Sequence, residues 1–262
     1  ISYGAYGMGD QPIFLGSYKA NNEIDWNDFG NNIWEFNIET DEDVGNIIFN
    51  DEKKFGVKKK NIEDLNSQGD FSYNPTNNKV YLYSTSNPAI YYSNIEIAQN
   101  KHILRLYYHL AQHHILFKDL KIKYGSGHGF HGSQISYIII DNCSFYYIGG
   151  SYQFTGESTV RYGNGVEVWD DAHDFIVKNS YFEQCYDEAI TNQGTDAEQY
   201  NIDYINNIFI NTHLGISIWL DDSGTMHDIN VSHNTGLNSG GEWSYDERPD
   251  KRAEIMGLAE TE

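Results

Sequence analysis

The chain has 262 residues, enough to bury a sizeable core, and its 38 acidic against 17 basic side chains give a formal net charge of −21. Because nucleic-acid backbones and anionic lipid surfaces bind to cationic faces, this charge argues against nucleic acid or an anionic membrane as partner. The sequence holds no apolar run of about 18 residues, so it predicts no membrane insertion.

The first strands are predicted within residues 1–20, where Gly4, Gly7 and Gly9 supply tight turns between apolar runs. Residues 31–93 differ in composition, since they hold six of the 13 lysines and alternate apolar with polar positions. We predict a small β-rich module inserted at 31–93, with a short helical turn at 61–68.

The main domain is predicted to comprise residues 1–30 and 94–241, and residues 242–262, where the pattern is lost, a C-terminal cap or tail. Within the main domain a short β-rich run that ends in Asn or Asp recurs every 23 to 37 residues, at Asp119, Asn142, Asn179, Asn207 and Asn234. Strand-and-turn units with such a period predict an all-β parallel solenoid. We expect the four Asn side chains to point inward and bond along the stack, which is a structural role.

Each repeat has a second strand that aligns through a small residue. The alignment predicts an inward column of Val166, Ile190 and Ile216. One position on, it predicts an outward row of His131, Glu167, Thr191 and Ser217, and two positions further a row of Trp169, Gln193 and Trp219. Since adjacent strands lie about 4.8 Å apart, these rows predict a shallow glycan groove on the outer face.

Loops that enter this face supply further candidates, because loops on a rigid scaffold are where sites tend to lie. The long interval between Asn142 and Asn179 places an extra loop, roughly 149–162, above the face. The predicted substrate-binding residues are His128, Tyr162, Trp169, Glu188, Thr191, His213 and Trp219.

Two catalytic schemes fit these residues. In a glycosidase, Glu167 and Asp187 on adjacent repeats would be the carboxylate pair that flanks the scissile bond. In a polysaccharide lyase, Arg161 would neutralise a uronate carboxylate while His128, His131 or Tyr162 transferred the proton. A third possibility is a non-catalytic glycan-binding or surface-fibre protein. Hydrolysis is preferred, because the predicted groove has more carboxylates than cations.

Two acidic pairs, Asp170-Asp171 and Asp221-Asp222, follow the two Trp positions. They could bind Ca²⁺, which takes oxygen ligands, although turns also favour Asp. No Cys/His spacing typical of zinc is present, and no metal site is assigned. Cys143 and Cys185 fall in different columns of the repeat, which predicts two small buried thiols and no disulfide.

The chain resembles the secreted bacterial right-handed parallel β-helix proteins of the pectate-lyase-like superfamily. The resemblance lies in Tyr3-Gly-Ala-Tyr-Gly-Met-Gly-Asp-Gln-Pro12, Arg161-Tyr-Gly-Asn-Gly-Val-Glu-Val-Trp169, Tyr186-Asp-Glu-Ala-Ile-Thr-Asn-Gln-Gly194, Trp243-Ser-Tyr-Asp-Glu-Arg-Pro-Asp250 and, for the inserted module, Phe71-Ser-Tyr-Asn-Pro-Thr-Asn-Asn-Lys-Val-Tyr-Leu-Tyr83. It implies a right-handed parallel β-helix, a secreted or cell-surface location and a polysaccharide or oligosaccharide partner.

That superfamily includes lyases, hydrolases, epimerases and non-enzymatic adhesins, so the resemblance does not select the reaction. The chain lacks the Lys/Arg pattern typical of pectate lyases. Members usually begin with a further β-rich segment before Gly-Ala-Tyr-Gly, which leads us to expect a truncated or processed N-terminus.

Overall fold

The computed structural model describes residues 1–40, 43–99, 102–107, 113–153, 160–221, 223–248, 251 and 254–260. Within these residues the fold is all-β, with a single short α-helix, α1 (Pro88–Tyr91). The strands are β1 (Ser2–Gly4), β2 (Ile13–Leu15), β3 (Ser17–Lys19), β4 (Trp26–Gly30), β5 (Ile33–Asn37), β6 (Asn46–Phe49), β7 (Lys54–Phe55), β8 (Val57–Lys58), β9 (Asp70–Asn74), β10 (Lys79–Tyr83), β11 (Ile95–Ala98), β12 (Leu104–Tyr107), β13 (His113–Lys118), β14 (Lys121–Lys123), β15 (Phe130–Asp141), β16 (Ser144–Ile148), β17 (Ser151–Tyr152), β18 (Arg161–Tyr162), β19 (Val166–Lys178), β20 (Tyr181–Cys185), β21 (Glu188–Gly194), β22 (Glu198–Ile205), β23 (Ile208–Ile210), β24 (Leu214–Leu220), β25 (Thr225–Ser232), β26 (Thr235–Leu237) and β27 (Glu254–Glu260).

Two parallel sheets run through the repeats. The first joins ten strands along the order β1-β13-β15-β19-β21-β24-β27, with β12, β22 and β25 pairing beside that path. The second joins six strands in the order β2-β14-β16-β20-β23-β26. Successive segments of the chain therefore return to the same two sheets, one strand further along each time, as the period of the sequence predicts.

The long strand β19 shows how one repeat serves two parts of the first sheet. Its first residues pair with β21 and its last residues with β22. The pairing of β15 with β19 shifts register between Ser133 and Ile135, and a bulge of this kind bends a strand. The bend separates the part of β19 that carries Glu167 from the part that leads to the next turn.

The core between the sheets consists of inward columns in register. Val166 lies opposite Phe130 on one side and Ile190 on the other, and Ile190 lies opposite Ile216. All four side chains are at most 2% exposed and belong to one apolar cluster. This confirms the predicted inward column. In the second sheet, Phe145 and Phe182 stack with ring centroids 4.8 Å apart.

The strands between Ser17 and Ala98 form two further sheets, which are mainly antiparallel. One has the order β4-β5-β10-β9-β8 and the other β3-β11-β6-β7. They enclose an apolar cluster of their own that includes Trp26, Phe36, Phe71 and Leu82. The predicted helical turn is present as a 3₁₀ turn at Ile62–Asp64.

The stacked asparagines differ from the prediction, because they form two ladders of hydrogen bonds, one buried and one exposed. Asn207 and Asn234 point inward: the Asn207 backbone N–H donates to Oδ1 of Asn234 at 2.9 Å, and Asn207 is fully buried. Asn142 and Asn179 are instead exposed, with φ of 51° and 53°, the left-handed conformation that Asn tolerates at turns. The exposed ladder continues to Asn206, whose Nδ2 donates to Oδ1 of Asn179 at 2.8 Å.

The C-terminal region adds a strand to the first sheet, since β27 pairs in parallel with β24. Glu242, Ser244 and Arg248 in the preceding segment are buried. Cys143 and Cys185 are buried free thiols. No helix in the described part of the chain is long and apolar enough to cross a membrane.

Candidate functional site

The predicted outward row forms in the expected register. His131 lies opposite Glu167, Glu167 opposite Thr191, and Thr191 opposite Ser217. The row is not an open groove, however: Glu167 is 7% exposed, Thr191 0% and Ser217 9%. These low exposures correct the shallow groove of the sequence interpretation to a largely enclosed row.

Two imidazoles converge on one oxygen of Glu167. Oε2 of Glu167 lies 2.5 Å from Nδ1 of His131 and 2.9 Å from Nε2 of His128. His131 is on β15, next to β19, and His128 is in the loop that precedes β15. The side chains of Glu167 and His128 are at most 9% exposed, so these are hydrogen bonds shielded from solvent and strengthened by the low local dielectric.

The tautomer of His128 follows from a backbone contact. The N–H of Asn164 donates to Nδ1 of His128 at 3.0 Å. Because a nitrogen that accepts a hydrogen bond carries no hydrogen, the imidazole hydrogen of neutral His128 is on Nε2, where it donates to Glu167. An ionised carboxylate only accepts, so His131 likewise donates through Nδ1.

A third imidazole covers the other two. The ring of His102 stacks on His128 and on His131, with centroids 4.9 Å apart in both pairs. Its Nδ1 accepts the backbone N–H of His128 at 3.2 Å. Burial, together with the adjacent His128 and His131, lowers the pKa of His102 to about 2, so this ring is neutral.

The pKa of Glu167 reflects opposing influences. Burial by itself raises the pKa of a carboxyl group, but the hydrogen bonds that His128 and His131 donate outweigh it and hold the pKa of Glu167 well below its usual range. Glu167 is therefore ionised at neutral pH.

The pKa of Glu188 is shifted in the opposite direction. It is half-buried at the start of β21, and its backbone N–H donates to Oδ1 of Asn164 at 3.0 Å. Burial, then the negative charge of Asp187, raises the pKa of Glu188 to about 8, and the charge of Glu167 adds to the effect. Glu188 is therefore largely protonated at neutral pH.

The carboxylate of Asp187, the predicted partner of Glu167, is held by an ion pair and a hydrogen bond. Its Oδ1 pairs with Nη2 of Arg248 at 2.8 Å, and its Oδ2 accepts the backbone N–H of Gly163 at 3.0 Å. Arg248 also lies over the ring of Tyr186, 4.4 Å from the centroid. These contacts join the C-terminal segment to the loop before β21.

Arg161 and Tyr162, on β18, have different surroundings. The guanidinium of Arg161 pairs with Glu247 at 3.0 Å, so the charge that the lyase scheme assigned to a uronate carboxylate is paired within the protein. The ring of Tyr162 packs edge-on against His128 at 5.1 Å. Residues 154–159 of the predicted loop 149–162 lie outside the described residues.

The remaining predicted binding residues lie in or beside the rows. Trp169 and Trp219 are half-buried and stack with centroids 6.3 Å apart, and Gln193 lies between them in register. Nε2 of Gln193 donates to Oγ1 of Thr191 at 3.2 Å, which links the two rows. His213 is buried just before β24.

One group of three described residues, His128, His131 and Glu167, brings possible metal-ligand atoms within 4.8 Å of one another. A metal-bound imidazole uses one nitrogen as ligand and donates through the other. His128 does the reverse, because its Nδ1 accepts the N–H of Asn164. A cation here would require His128 to lose that bond, so the arrangement is better described as a hydrogen-bonded triad.

The carboxylates of the acidic pairs considered for Ca²⁺ accept hydrogen bonds within the protein. Oδ1 of Asp171 accepts the N–H of Glu198 at 2.8 Å, and Oδ2 of Asp170 accepts the hydroxyl of Ser133 at 3.1 Å. Oδ1 of Asp221 accepts the N–H of Asp196 at 2.9 Å. Asp222 lies outside the described residues.

Sequence reasoning missed three contributors: His102, Asn164 and Arg248. His102 precedes β12 and is separated from His128 by 26 residues. Arg248 reaches Asp187 across 61 residues. The one available signal was for Asn164, which lies between two glycines just before β19.

Comparisons with known proteins give no family. No family model matches the sequence, and no curated protein matches it. Among solved structures, the chain is similar to "The complex structure of XylC with xylose", with a TM-score of 0.46 and 13% identity, over 88% of this chain and 55% of that chain. The chain thus spans about half the length of that protein. At this TM-score and identity the likeness carries no argument about this chain.

Proposed function

We propose that the chain is a secreted or cell-surface glycoside hydrolase, built on a right-handed parallel β-helix, that acts on a polysaccharide or oligosaccharide. In this proposal Glu167 is the ionised carboxylate, acting as base or nucleophile, and Glu188 is the general acid. Asp187 supports the site through Arg248 and Gly163. The inserted module of this proposal is residues 31–93, whose strands lie in the two sheets between Ser17 and Ala98.

The observation that carries the proposal is the contrast between the surroundings of two neighbouring carboxyl groups. Glycoside hydrolysis needs one carboxyl group that is protonated and one that is ionised at the same pH. Glu167 receives two imidazole hydrogen bonds, which favour its ionised form. Glu188 is half-buried beside Asp187, which favours its protonated form.

The two tryptophans support a sugar as substrate. Trp169 and Trp219 lie two positions along their strands from Glu167 and Ser217, on the same side. Their rings, with the amide of Gln193 between them, offer an apolar surface next to hydrogen-bonding groups. Such a combination suits a sugar ring, which has an apolar face and a polar edge.

A second candidate is β-elimination on a uronate-containing glycan with His131 as the base. It is favoured by the 2.5 Å contact between Nδ1 of His131 and Glu167, the arrangement in which a carboxylate orients a catalytic imidazole. Elimination also needs a cation for the uronate carboxylate. Arg105, exposed and in register with His131, takes that role in this alternative.

The experiment is a panel of neutral and uronate-containing polysaccharides, read by new reducing ends and by the ultraviolet absorbance of an unsaturated uronate. We expect reducing ends without the absorbance. Reducing ends together with the absorbance would replace hydrolysis by elimination. Retention of a glycan without either signal would leave a non-catalytic binding protein.

Variants test the assignment of the carboxyl groups. Glu167→Gln and Glu188→Gln should each lower kcat by about 10²–10⁴-fold, the usual contribution of a general acid or base. The control is Glu198→Gln on β22, whose side chain is exposed and which should retain full activity. Full activity of either site variant contradicts its assignment.

A further inference from the structure

A buried ionic network lies beside the candidate site. Nζ of Lys58 contacts the carboxylate of Asp43 and donates to the carbonyl of Val44 at 2.6 Å. The side chain of Lys58 is 1% exposed and that of Asp43 8%. Oδ2 of Asp43 also accepts the backbone N–H of Tyr152 on β17 at 2.6 Å. The network thus holds one strand of the β17–β18 hairpin.

Arg161 holds the other strand. Its Nε donates to the carbonyl of Gly150 at 2.7 Å and its Nη2 to the carbonyl of Gly45 at 3.2 Å. Its Nη1 pairs with Glu247, which also accepts the backbone N–H of Lys58 at 3.3 Å. Arg161 therefore connects three parts of the chain: the Ser17–Ala98 sheets, the hairpin and the C-terminal segment.

The residues that follow Arg161 reach the site one after another. Tyr162 packs edge-on against the ring of His128. The N–H of Gly163 donates to Asp187, and the N–H of Asn164 donates to Nδ1 of His128. Oδ1 of Asn164 then accepts the N–H of Glu188. Segment 161–164 thus contacts Asp187 and Glu188 directly, and it reaches Glu167 through His128.

Gly163 leaves this segment little freedom. Its φ is 144°, a conformation that favours glycine, and a Cβ at this position would lie 2.1 Å from Cα of Gly149. The segment cannot shift without separating two closely packed backbones. Arg161 and Asn164 are thus joined through a glycine that packs closely against Gly149.

We propose that Arg161 is a positioning residue: its bonds to Glu247, Gly150 and Gly45 hold segment 161–164 so that Asn164 fixes the tautomer of His128. That tautomer directs the Nε2 hydrogen to Glu167. The inference rests on the proposed function in taking Glu167 as a catalytic group, but the tautomer itself is measurable without a substrate.

The test is NMR of the imidazole nitrogens in the full chain, with the His128 signals assigned by their absence from His128→Gln. The wild type should show His128 hydrogenated at Nε2 alone. Arg161→Gln should give a mixture of the two tautomers. Arg161→Lys should fall between them, because Lys keeps the charge but lacks the planar fork of donors.

The matched control is Lys79→Gln, which removes a 2.7 Å ion pair with Glu35 in the β4-β5-β10-β9-β8 sheet and should leave His128 unchanged. With a cleaved glycan in hand, Arg161→Gln should lower kcat about 10–100-fold and change KM less than about threefold.

A folded Arg161→Gln protein with the wild-type His128 tautomer overturns the inference. If that variant does not fold, Glu247→Gln removes one partner of Arg161 and is judged by the same signals. If no polysaccharide is cleaved, the proposed hydrolase fails, while the NMR result still decides the role of Arg161.

Discussion

Glu167 and Glu188 lie on adjacent parallel strands, and the groups around them have opposite effects on the pKa of the two carboxyl groups. Two imidazole donors meet Glu167 at one oxygen, whereas Glu188 lies next to another carboxylate. Their pKa values are thereby separated in opposite directions, Glu167 downward and Glu188 upward. Groups of one chemical type can thus take two catalytic roles at one pH.

This separation predicts the pH dependence of catalysis. A general acid must be protonated, so kcat/KM should fall as the pH rises through about 8, the pKa of Glu188. Glu167 stays ionised well below the usual range of a carboxyl group, so the acidic side of the profile should extend to unusually low pH. The measurement is kcat/KM against pH for the wild type, Glu188→Gln and the exposed control Glu198→Gln.

Glu188→Gln should lose the decline near pH 8 along with most of its rate, while Glu198→Gln should keep the wild-type profile. An unchanged alkaline decline in the residual activity of Glu188→Gln would assign that titration to another group.

Among the elements, the inward ladder of Asn207 and Asn234 links consecutive repeats. Its amide groups bond to backbone groups that the turns leave unpaired. Oδ1 of Asn207 accepts the N–H of Ser180, and its Nδ2 donates to the carbonyl of Val177, both at 2.9 Å. Asn207 is fully buried, so no water could reach these backbone groups if its amide were removed.

Asn207→Ala should therefore lower the free energy of unfolding by about 2–4 kcal/mol, measured by urea denaturation. The control is Asn230→Ala, because Nδ2 of Asn230 also bonds across one repeat, to Asp203 at 3.0 Å, but the residue is exposed. The control should change stability by less than about 0.5 kcal/mol. Equal losses in the two variants would show that burial does not set the strength of the ladder.

The sequence predicts the strands and their register well, since alternation places Val166 inward and Glu167 outward and the period aligns them with the next repeat. The sequence does not show which Asn residues belong to the inward ladder and which to the exposed one. Asn206 and Asn207 are adjacent, and either can be the Asn that ends the recurring β-rich run. Only the turn conformation, with Asn206 at φ 56°, shows that Asn206 is outside and Asn207 inside.

At the scale of the whole molecule, the site draws on distant parts of the chain. His102 comes from before the regular repeats and Arg248 from after them. Lys58 and Asp43 come from the Ser17–Ala98 region and hold the hairpin. Repeat alignment can locate Glu167 and His131, but these other contacts depend on how the segments pack together, which periodicity does not encode.

The opposite pKa shifts also predict how global stability depends on pH. The folded-state pKa of Glu188 is raised from 4.5 to about 8, so between these values the folded protein holds a proton that the unfolded chain has released. Stability from this group is present below pH 4.5 and is lost as the pH rises through 8. Glu167, with its lowered pKa, contributes stability above pH 4.5 that is lost on further acidification.

Unfolding free energies of the wild type should therefore decline between pH 4.5 and pH 8. Glu188→Gln should show a flatter profile, the slopes differing by at most about 1.4 kcal/mol per pH unit, the limit for one proton. The mutual repulsion that comes with a net charge of −21 also grows with pH, but it acts on both proteins. Urea titrations across this range, with Glu198→Gln as the matched loss of one exposed carboxyl group, separate the two effects. Parallel profiles for the wild type and Glu188→Gln would mean that Glu188 is ionised in the folded protein, and the general acid would have to be another residue.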